Sequence, residues 1–134
     1  MELKISSDPR WLRVVRAMME EVSRLAGFSD GERCGIVIAV DEALSNVMKH
    51  SYKGDPNGQV SLSCVADDGC LEIVLRDQGE AFDPKRLEPP PPDEMRVGGR
   101  GIFLMRSTMD EVKFERHGDV NLLRLRKYVK ARAR

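Results

Sequence analysis

The chain has 134 residues, of which 41% are hydrophobic, enough for one domain with a buried core and too few for two comfortable ones, so residues 1–134 read as a single unit. Twenty-two Lys and Arg balance twenty-two Asp and Glu, which leaves no global field to draw the protein to nucleic acid or an anionic membrane. The opening MELKISSDPRW has no apolar h-region, and nowhere is there a membrane-spanning apolar run of about 18 residues, so a cytoplasmic location is expected.

Residues 2–6 alternate as a short strand. Asp8 is then expected as an N-cap with Pro9 at the first helical position, and Trp11, Val14, Val15, Met18, Val22 and Leu25 recur at helical spacing up to Gly27. Ser29 and Glu32 form a capping box that opens a second helix, whose stripe of Ile36, Val40, Leu44 and Val47 runs to about Ser51. YKGDPNG at 52–58 is turn chemistry, and strands near 59–66 and 70–76 make a hairpin through Asp67-Asp68-Gly69. Between Gln78 and Arg100 the pattern dissolves into glycine, proline and charge. A connection of that length in a compact domain is read as a functional lid or a disordered stretch. Its prolines, Pro89 to Pro92, predict a polyproline II stretch, with docking to a proline-binding partner as the weaker alternative.

A third helix is expected after Gly101, carrying Ile102, Leu104, Met105 and Met109, followed by strands near 111–116 and 120–128 about a His117-Gly118-Asp119 turn. The order β-α-α-β-β-α-β-β predicts an α+β two-layer sandwich: a mixed, mainly antiparallel sheet covered on one face by about three helices. The basic residues Lys127, Lys130, Arg132 and Arg134 are read as a solvated tail. Cys34, Cys64 and Cys70 fit no zinc or redox spacing and are read as buried thiols of a reducing compartment, although Cys64 and Cys70 flank a turn that could bring them together.

Three segments carry chemistry. In VDEALSNVMKHS at 40–51, helical spacing puts Glu42, Asn46 and His50 on one stripe with Lys49 beside it. A solvated face explains that spacing equally well; beyond it, an Asn amide oxygen suits Mg²⁺, and a carboxylate one turn away can activate a hydroxyl. In RDQGEAFDP at 76–84, Asp77 at a strand end can accept from an exocyclic amine such as that of adenine, and Gly79 lets a flat base approach; the plain alternative is an ordinary Asp-x-Gly turn. In GGRGIFLM at 98–105, glycines precede a helix N-terminus, where exposed N–H groups favour phosphate. Neither a Walker-type loop nor a dinucleotide fingerprint occurs.

Together and in this order, the three segments resemble the ATP-binding domain shared by gyrase, the Hsp90 chaperones, histidine kinases and MutL. Glu42 to Asn46 matches its N-box, Asp77-x-Gly79 its first glycine box, and Gly99-x-Gly101 its second. DEALSNVMKHSY, the Asp-x-Gly-x-x-Phe-Asp-Pro segment at 77–84 and GGRGIFLMRSTMDEV most resemble anti-sigma-factor serine kinases of the RsbW and SpoIIAB type.

The resemblance implies the histidine-kinase-like ATPase fold, with ATP and Mg²⁺ bound. Asn46 would ligate Mg²⁺, Glu42 would be the general base and Asp77 would take the adenine amine. Gly79 would lie along the base, Ala81 and Phe82 would be further nucleotide-binding residues, and Lys49 and His50 would sit at the nucleotide's edge. Gly99, Arg100 and Gly101 would meet the phosphates beneath a lid spanning about 85–98, with Gly98 and Ile102 as further nucleotide-binding residues. Two departures stand out: Ala81 replaces a frequent second glycine, and Asn121 stands about where relatives often carry a Thr that reaches an adenine-side water. The implied function is a protein serine kinase and partner switch, usually homodimeric, that binds a sigma factor and phosphorylates a STAS-domain antagonist. The alternative is an ATP-binding interaction module without phosphotransfer. A histidine-kinase fragment ranks below both, since neither histidine lies on a recognisable dimerisation helix pair.

Overall fold

The computed structural model describes residues 1–83 and 99–130. The expected lid over 85–98 with its prolines, Gly98, Arg132 and Arg134 all lie outside the described residues. The order is β1 (Glu2–Ser6), α1 (Trp11–Leu25), α2 (Asp30–Asn46), a π-helical turn (Val47–Ser51), β2 (Gln59–Asp67), β3 (Cys70–Asp77), α3 (Gly99–Thr108), β4 (Glu111–His117) and β5 (Val120–Tyr128). The strands form one sheet ordered β1-β2-β3-β5-β4. All four pairings among the described residues are antiparallel, so the parallel component of the expected mixed sheet is not found. The reason is local: both hairpins pair sequence neighbours, and β5 then docks its free edge on β3.

Turn chemistry sets the hairpin registers. Asp68 and Gly69 both take positive φ, 48° and 72°, the combination a tight two-residue β-turn requires. At α2 the Ser29 hydroxyl accepts from the Glu32 amide while the Ser29 amide donates to the Glu32 carboxylate, closing the capping box. The Ser29 donors hold the Glu32 carboxyl below the usual carboxylate range.

The core lies between the helices and one sheet face. The α2 stripe of Ile36, Val40, Leu44 and Val47 is buried as expected, joined by Ala39 and Ala43. In α1 the buried stripe is rotated from the expected one: Val15, Met19 and Ser23 point inward, while Trp11, Val14 and Leu25 are exposed. Ser23 is tolerated there because its hydroxyl donates to the Met19 carbonyl at 2.7 Å. The expected Asp8 cap with Pro9 as first helical residue falls two residues early: α1 starts at Trp11 with Arg10 at the cap position and no side-chain cap, and the Asp8 carboxylate instead accepts from the Arg10 amide at 3.0 Å in the turn before the helix.

Helix α3 begins three residues earlier than expected, at Gly99, and buries Ile102 and Met105 but leaves Leu104 exposed, while Met109, just past its end, is also buried. Its C-terminal carbonyl at Thr108 accepts from Lys127 Nζ at 2.6 Å. Lys127 is therefore part of β5 and a helix-end partner, not part of a solvated tail, because a cation is favoured where helix carbonyls are left over. The cysteines are all free. Cys64 is buried, but Cys34 is exposed, against the expectation of three buried thiols; it sits on the outward side of α2, away from the Ile36 stripe. No helix among the described residues is long and apolar enough to cross a membrane.

Candidate functional site

Several elements converge on a cavity of about 240 Å³: the end of α2 with its π-helical turn, the segment leaving β3, and residues of α3, β4 and β5. Of the expected site residues, Asn46, His50, Asp77, Ala81 and Phe82 line it. Glu42, Lys49, Gly79, Gly101 and Ile102 do not.

Glu42 and Asn46 sit one turn apart on α2, and α3 crosses directly over them. A Cβ added at Gly101 would lie 2.5 Å from Glu42 Oε2 and 3.7 Å from Asn46 Nδ2, so glycine is what lets the helix start come down on the carboxylate. Gly35 meets Thr108 at the other end of the same antiparallel contact, where a Cβ would lie 3.3 Å from the Thr108 side chain. Asn46 Nδ2 is buried and has no hydrogen-bond partner among the described residues. An amide donor lacking an acceptor suits an incoming phosphate oxygen, while the amide oxygen of the same side chain and the Glu42 carboxylate are hard oxygens of the kind Mg²⁺ takes. Among the described residues, no group of three or more His, Cys, Asp or Glu is assembled to hold a metal ion.

After Asn46 the helix widens. Tyr52 donates its amide to the Val47 carbonyl at 3.1 Å, a five-residue span that closes the π-helical turn and brings His50 and Ser51 onto the cavity wall. Lys49 is exposed and off the wall.

The segment leaving β3 is tied to that turn. The Ser51 carbonyl accepts from the Glu80 amide at 2.8 Å, and a Cβ at Gly79 would run into the Ser51 backbone. Glycine at 79 is thus demanded by its own chain, where sequence reasoning had assigned the space to a flat ligand. The Tyr52 hydroxyl adds a second joint, accepting from the Gln78 amide at 2.9 Å and donating to the Gln59 carbonyl at 2.5 Å. Burial pushes the Tyr52 phenol above its ordinary value.

Asp77, 5% exposed, ends β3 facing the cavity. Its Oδ1 accepts from the Gly79 amide and from Asn121 Nδ2, both at 2.9 Å. Phe82 stacks on Phe114 of β4 with ring centroids 4.4 Å apart, which turns two aromatic faces into part of the wall. At the rim, Lys53 and Glu80 pair at 3.0 Å, both well exposed. Lys53 takes φ 51°, in the left-handed region.

Sequence reasoning placed no role on Ser51, Lys53, Met105, Phe114 or Leu123, all of which line the cavity. Their types carry no chemical signature, and only the antiparallel register brings β4 and β5 under the base of α2. Asn121 had a sequence signal, its place just after the last hairpin turn, but its bond to Asp77 did not.

The sequence family described as the histidine kinase-like ATPase domain matches residues 5–127. The chain is 33% identical over 129 residues to the serine-protein kinase RsbW of Bacillus subtilis, spanning 90% of this chain and 81% of that protein. It is 36% identical over 120 residues to RsbW of Bacillus licheniformis, spanning 83% and 74%, and 32% identical over 119 residues to RsbW of Listeria monocytogenes, spanning 83% and 76%. Among solved structures, the RsbU and RsbW domains of a Mycobacterium tuberculosis protein superpose over all of this chain with a TM-score of 0.69 at 19% identity, and this chain spans 34% of that one. The histidine kinase domain of an Erythrobacter litoralis blue-light-activated kinase matches over 90% of this chain and 60% of that one, with a TM-score of 0.57 at 17% identity. At those identities the two structures speak for the fold alone. With the family matched along nearly its whole length and the RsbW relatives above 30% identity, the chain belongs to the histidine kinase-like ATPase domain family and, within it, to the serine-protein kinases of the RsbW group.

Proposed function

We propose that the protein is a Mg²⁺- and ATP-dependent protein serine kinase that doubles as an anti-sigma factor. In this reading it binds a sigma factor in one state and phosphorylates a STAS-domain antagonist in the other, as a homodimer in the cytoplasm. The serine kinases named RsbW among its relatives support the activity. The single observation that carries the site is the Glu42, Asn46 and Gly101 cluster beside the cavity, with an orphaned amide at Asn46.

The base of ATP would enter between Asp77 and the Phe82–Phe114 pair, and its phosphates would run toward Asn46 and the start of α3. Mg²⁺ would be held by the Asn46 amide oxygen together with the phosphates, and it supplies charge neutralisation to the phosphoryl group in transfer. Glu42 accepts the proton of the substrate serine hydroxyl. As the serine oxygen bonds to the γ-phosphorus, the bond from that phosphorus to the bridging oxygen breaks and ADP leaves. Helix α3 positions: Gly101 keeps the Glu42 carboxylate close to the helix start, whose N–H groups face anionic charge. The aromatic pair and the apolar wall exclude water from the base.

Glu42→Ala tests the reading directly, with radiolabelled phosphate transfer to a serine-bearing STAS protein and calorimetry of ATP run in parallel. The expected result is nucleotide affinity within about twofold of wild type and transfer lower by about 100- to 10,000-fold, the range of a lost general base. Transfer at the wild-type rate would remove Glu42 from the chemistry, and a wild-type protein that binds ATP but transfers nothing would leave an ATP-dependent interaction module.

A further inference from the structure

Three residues on three strands line up across the sheet beside the cavity. Asp77 of β3 is the register partner of Asn121 of β5, which is in turn the partner of Arg116 of β4. The side chains are bonded in the same order. The Asn121 amide nitrogen donates to Asp77 Oδ1 at 2.9 Å and to the Glu80 carbonyl at 2.7 Å, which uses both of its hydrogens. Its oxygen accepts from Arg116 Nη1 at 2.8 Å. Arg116 reaches the Gly79 carbonyl at 3.3 Å with the same nitrogen and the Gly118 carbonyl with Nε at 3.2 Å. Asp77 and Asn121 are both buried, at 5% and 7% exposure, while Arg116 lies in solvent.

From this ladder we infer that Asn121 and Arg116 are positioning residues that set base specificity, holding the Asp77 carboxylate in one rotation so that it accepts from a purine bearing a 6-amino group and rejects one bearing a 6-oxo group. The inference rests on the nucleotide reading above and extends it to two residues with no part in the three sequence motifs.

The physical case has three steps. Oδ1 of Asp77 takes two protein donors, the Gly79 amide and Asn121, so rotation about Cβ–Cγ is fixed and the other oxygen keeps one direction. An amide can turn end for end at little cost unless something distinguishes its ends. Arg116 does so: its cation sits on the Asn121 oxygen, and the reversed amide would set that oxygen against a carboxylate and a carbonyl while aiming its N–H groups at a guanidinium. With the carboxylate fixed as an acceptor, a 6-oxo purine would bring lone pairs against lone pairs, a desolvated mismatch that the site has no room to relax.

Calorimetry of ATP and GTP binding to wild type, Asn121→Ala and Arg116→Ala tests the inference. Wild type is expected to prefer ATP. Asn121→Ala should weaken ATP about tenfold and narrow the ATP-over-GTP ratio, as expected when a buried acceptor loses a donor. Arg116→Ala should move both in the same direction by about threefold, because Arg116 itself is exposed and its bond to Asn121 is only partly buried. In transfer assays the loss should sit in KM for ATP, with kcat at saturating ATP nearly retained. If Asn121→Ala fails to fold by thermal melting, the solvent-facing Arg116→Ala carries the test alone. Folded variants with the wild-type ratio, or with ATP and GTP weakened equally, would reduce the ladder to a sheet staple. A wild-type protein that binds no ATP would instead bring down the nucleotide reading itself, and the specificity inference with it.

Discussion

The two ends of the cavity are built by different means. At the Asp77 end, the carboxylate, its turn and its neighbours are bonded to one another: Gly79, Glu80, Asn121 and Arg116 all take part, and the Ser51 and Tyr52 joints fasten the turn to the end of α2. At the Asn46 end, two helices touch through a glycine, and an amide nitrogen is left buried without a partner among the described residues. A sheet can complete its own hydrogen bonding across three strands, and what it completes is rigid before a ligand arrives. A helix contact built on a carboxylate and an orphan amide is complete only when something else brings the missing groups. The first arrangement suits recognition of a flat, neutral base and the second the recruitment of charge.

Substitutions at each end sharpen this contrast. The largest effect is the Glu42→Ala loss of transfer described above. Gly79→Ala comes next, because the added methyl meets the Ser51 backbone, which has nowhere to go. A loss of about 2 to 3 kcal/mol in chemical denaturation is expected, together with weaker binding of ATP. Wild-type stability in that variant would show that the Gly79–Ser51 approach is slack.

Asn46→Ala should reduce ATP affinity about 10- to 100-fold in Mg²⁺ and leave the weaker affinity measured in chelator unchanged, the pattern of a lost metal ligand. Equal losses in both conditions would make Asn46 a packing residue. Gly101→Ala is milder, since the atom it meets is the free end of a flexible side chain. It should lower kcat about tenfold by displacing Glu42 while ATP binding is kept.

Cys64, outside both ends, provides the smallest effect on the site. Burial pushes its thiol from the ordinary value near 9 up to about 11. The folded state therefore favours the protonated thiol, and this contribution is complete below pH 9 and lost as pH rises through 11, at about 1.4 kcal/mol per pH unit within that window. Denaturation at pH 8, 9.5 and 11 should show the decline in wild type and a shallower one in Cys64→Ala, with ATP affinity at pH 8 unaltered. Cys34, exposed on α2, should react with a maleimide in the native protein while Cys64 does not.

Much of this molecule was legible because its signals are local. The Ser29–Glu32 capping box, the Asp68-Gly69 turn and the α2 stripe each lie within a few residues, and each formed where periodicity and turn chemistry put it. The α1 stripe was misjudged because Trp11, Val14 and Leu25 are apolar in type yet exposed, and which side of an amphipathic helix meets the sheet depends on a partner that sequence spacing does not contain. Lys127 was misjudged for a related reason: its role is set by the end of α3, 19 positions away.

The sequence by itself determined the kinds of element, their order, and the three short segments from which a nucleotide site is argued, because helix caps, turns and metal-suited side chains act over a turn or two of chain. Only the tertiary structure decided that Gly79 serves its own backbone, that Gly101 seats α3 on Glu42, and that Asp77, Asn121 and Arg116 form one bonded row. Those relations depend on the antiparallel register of β3, β5 and β4, on the crossing of two helices and on the approach of the segment after β3 to the end of α2, and contacts between separate elements leave no periodic trace in the chain that makes them.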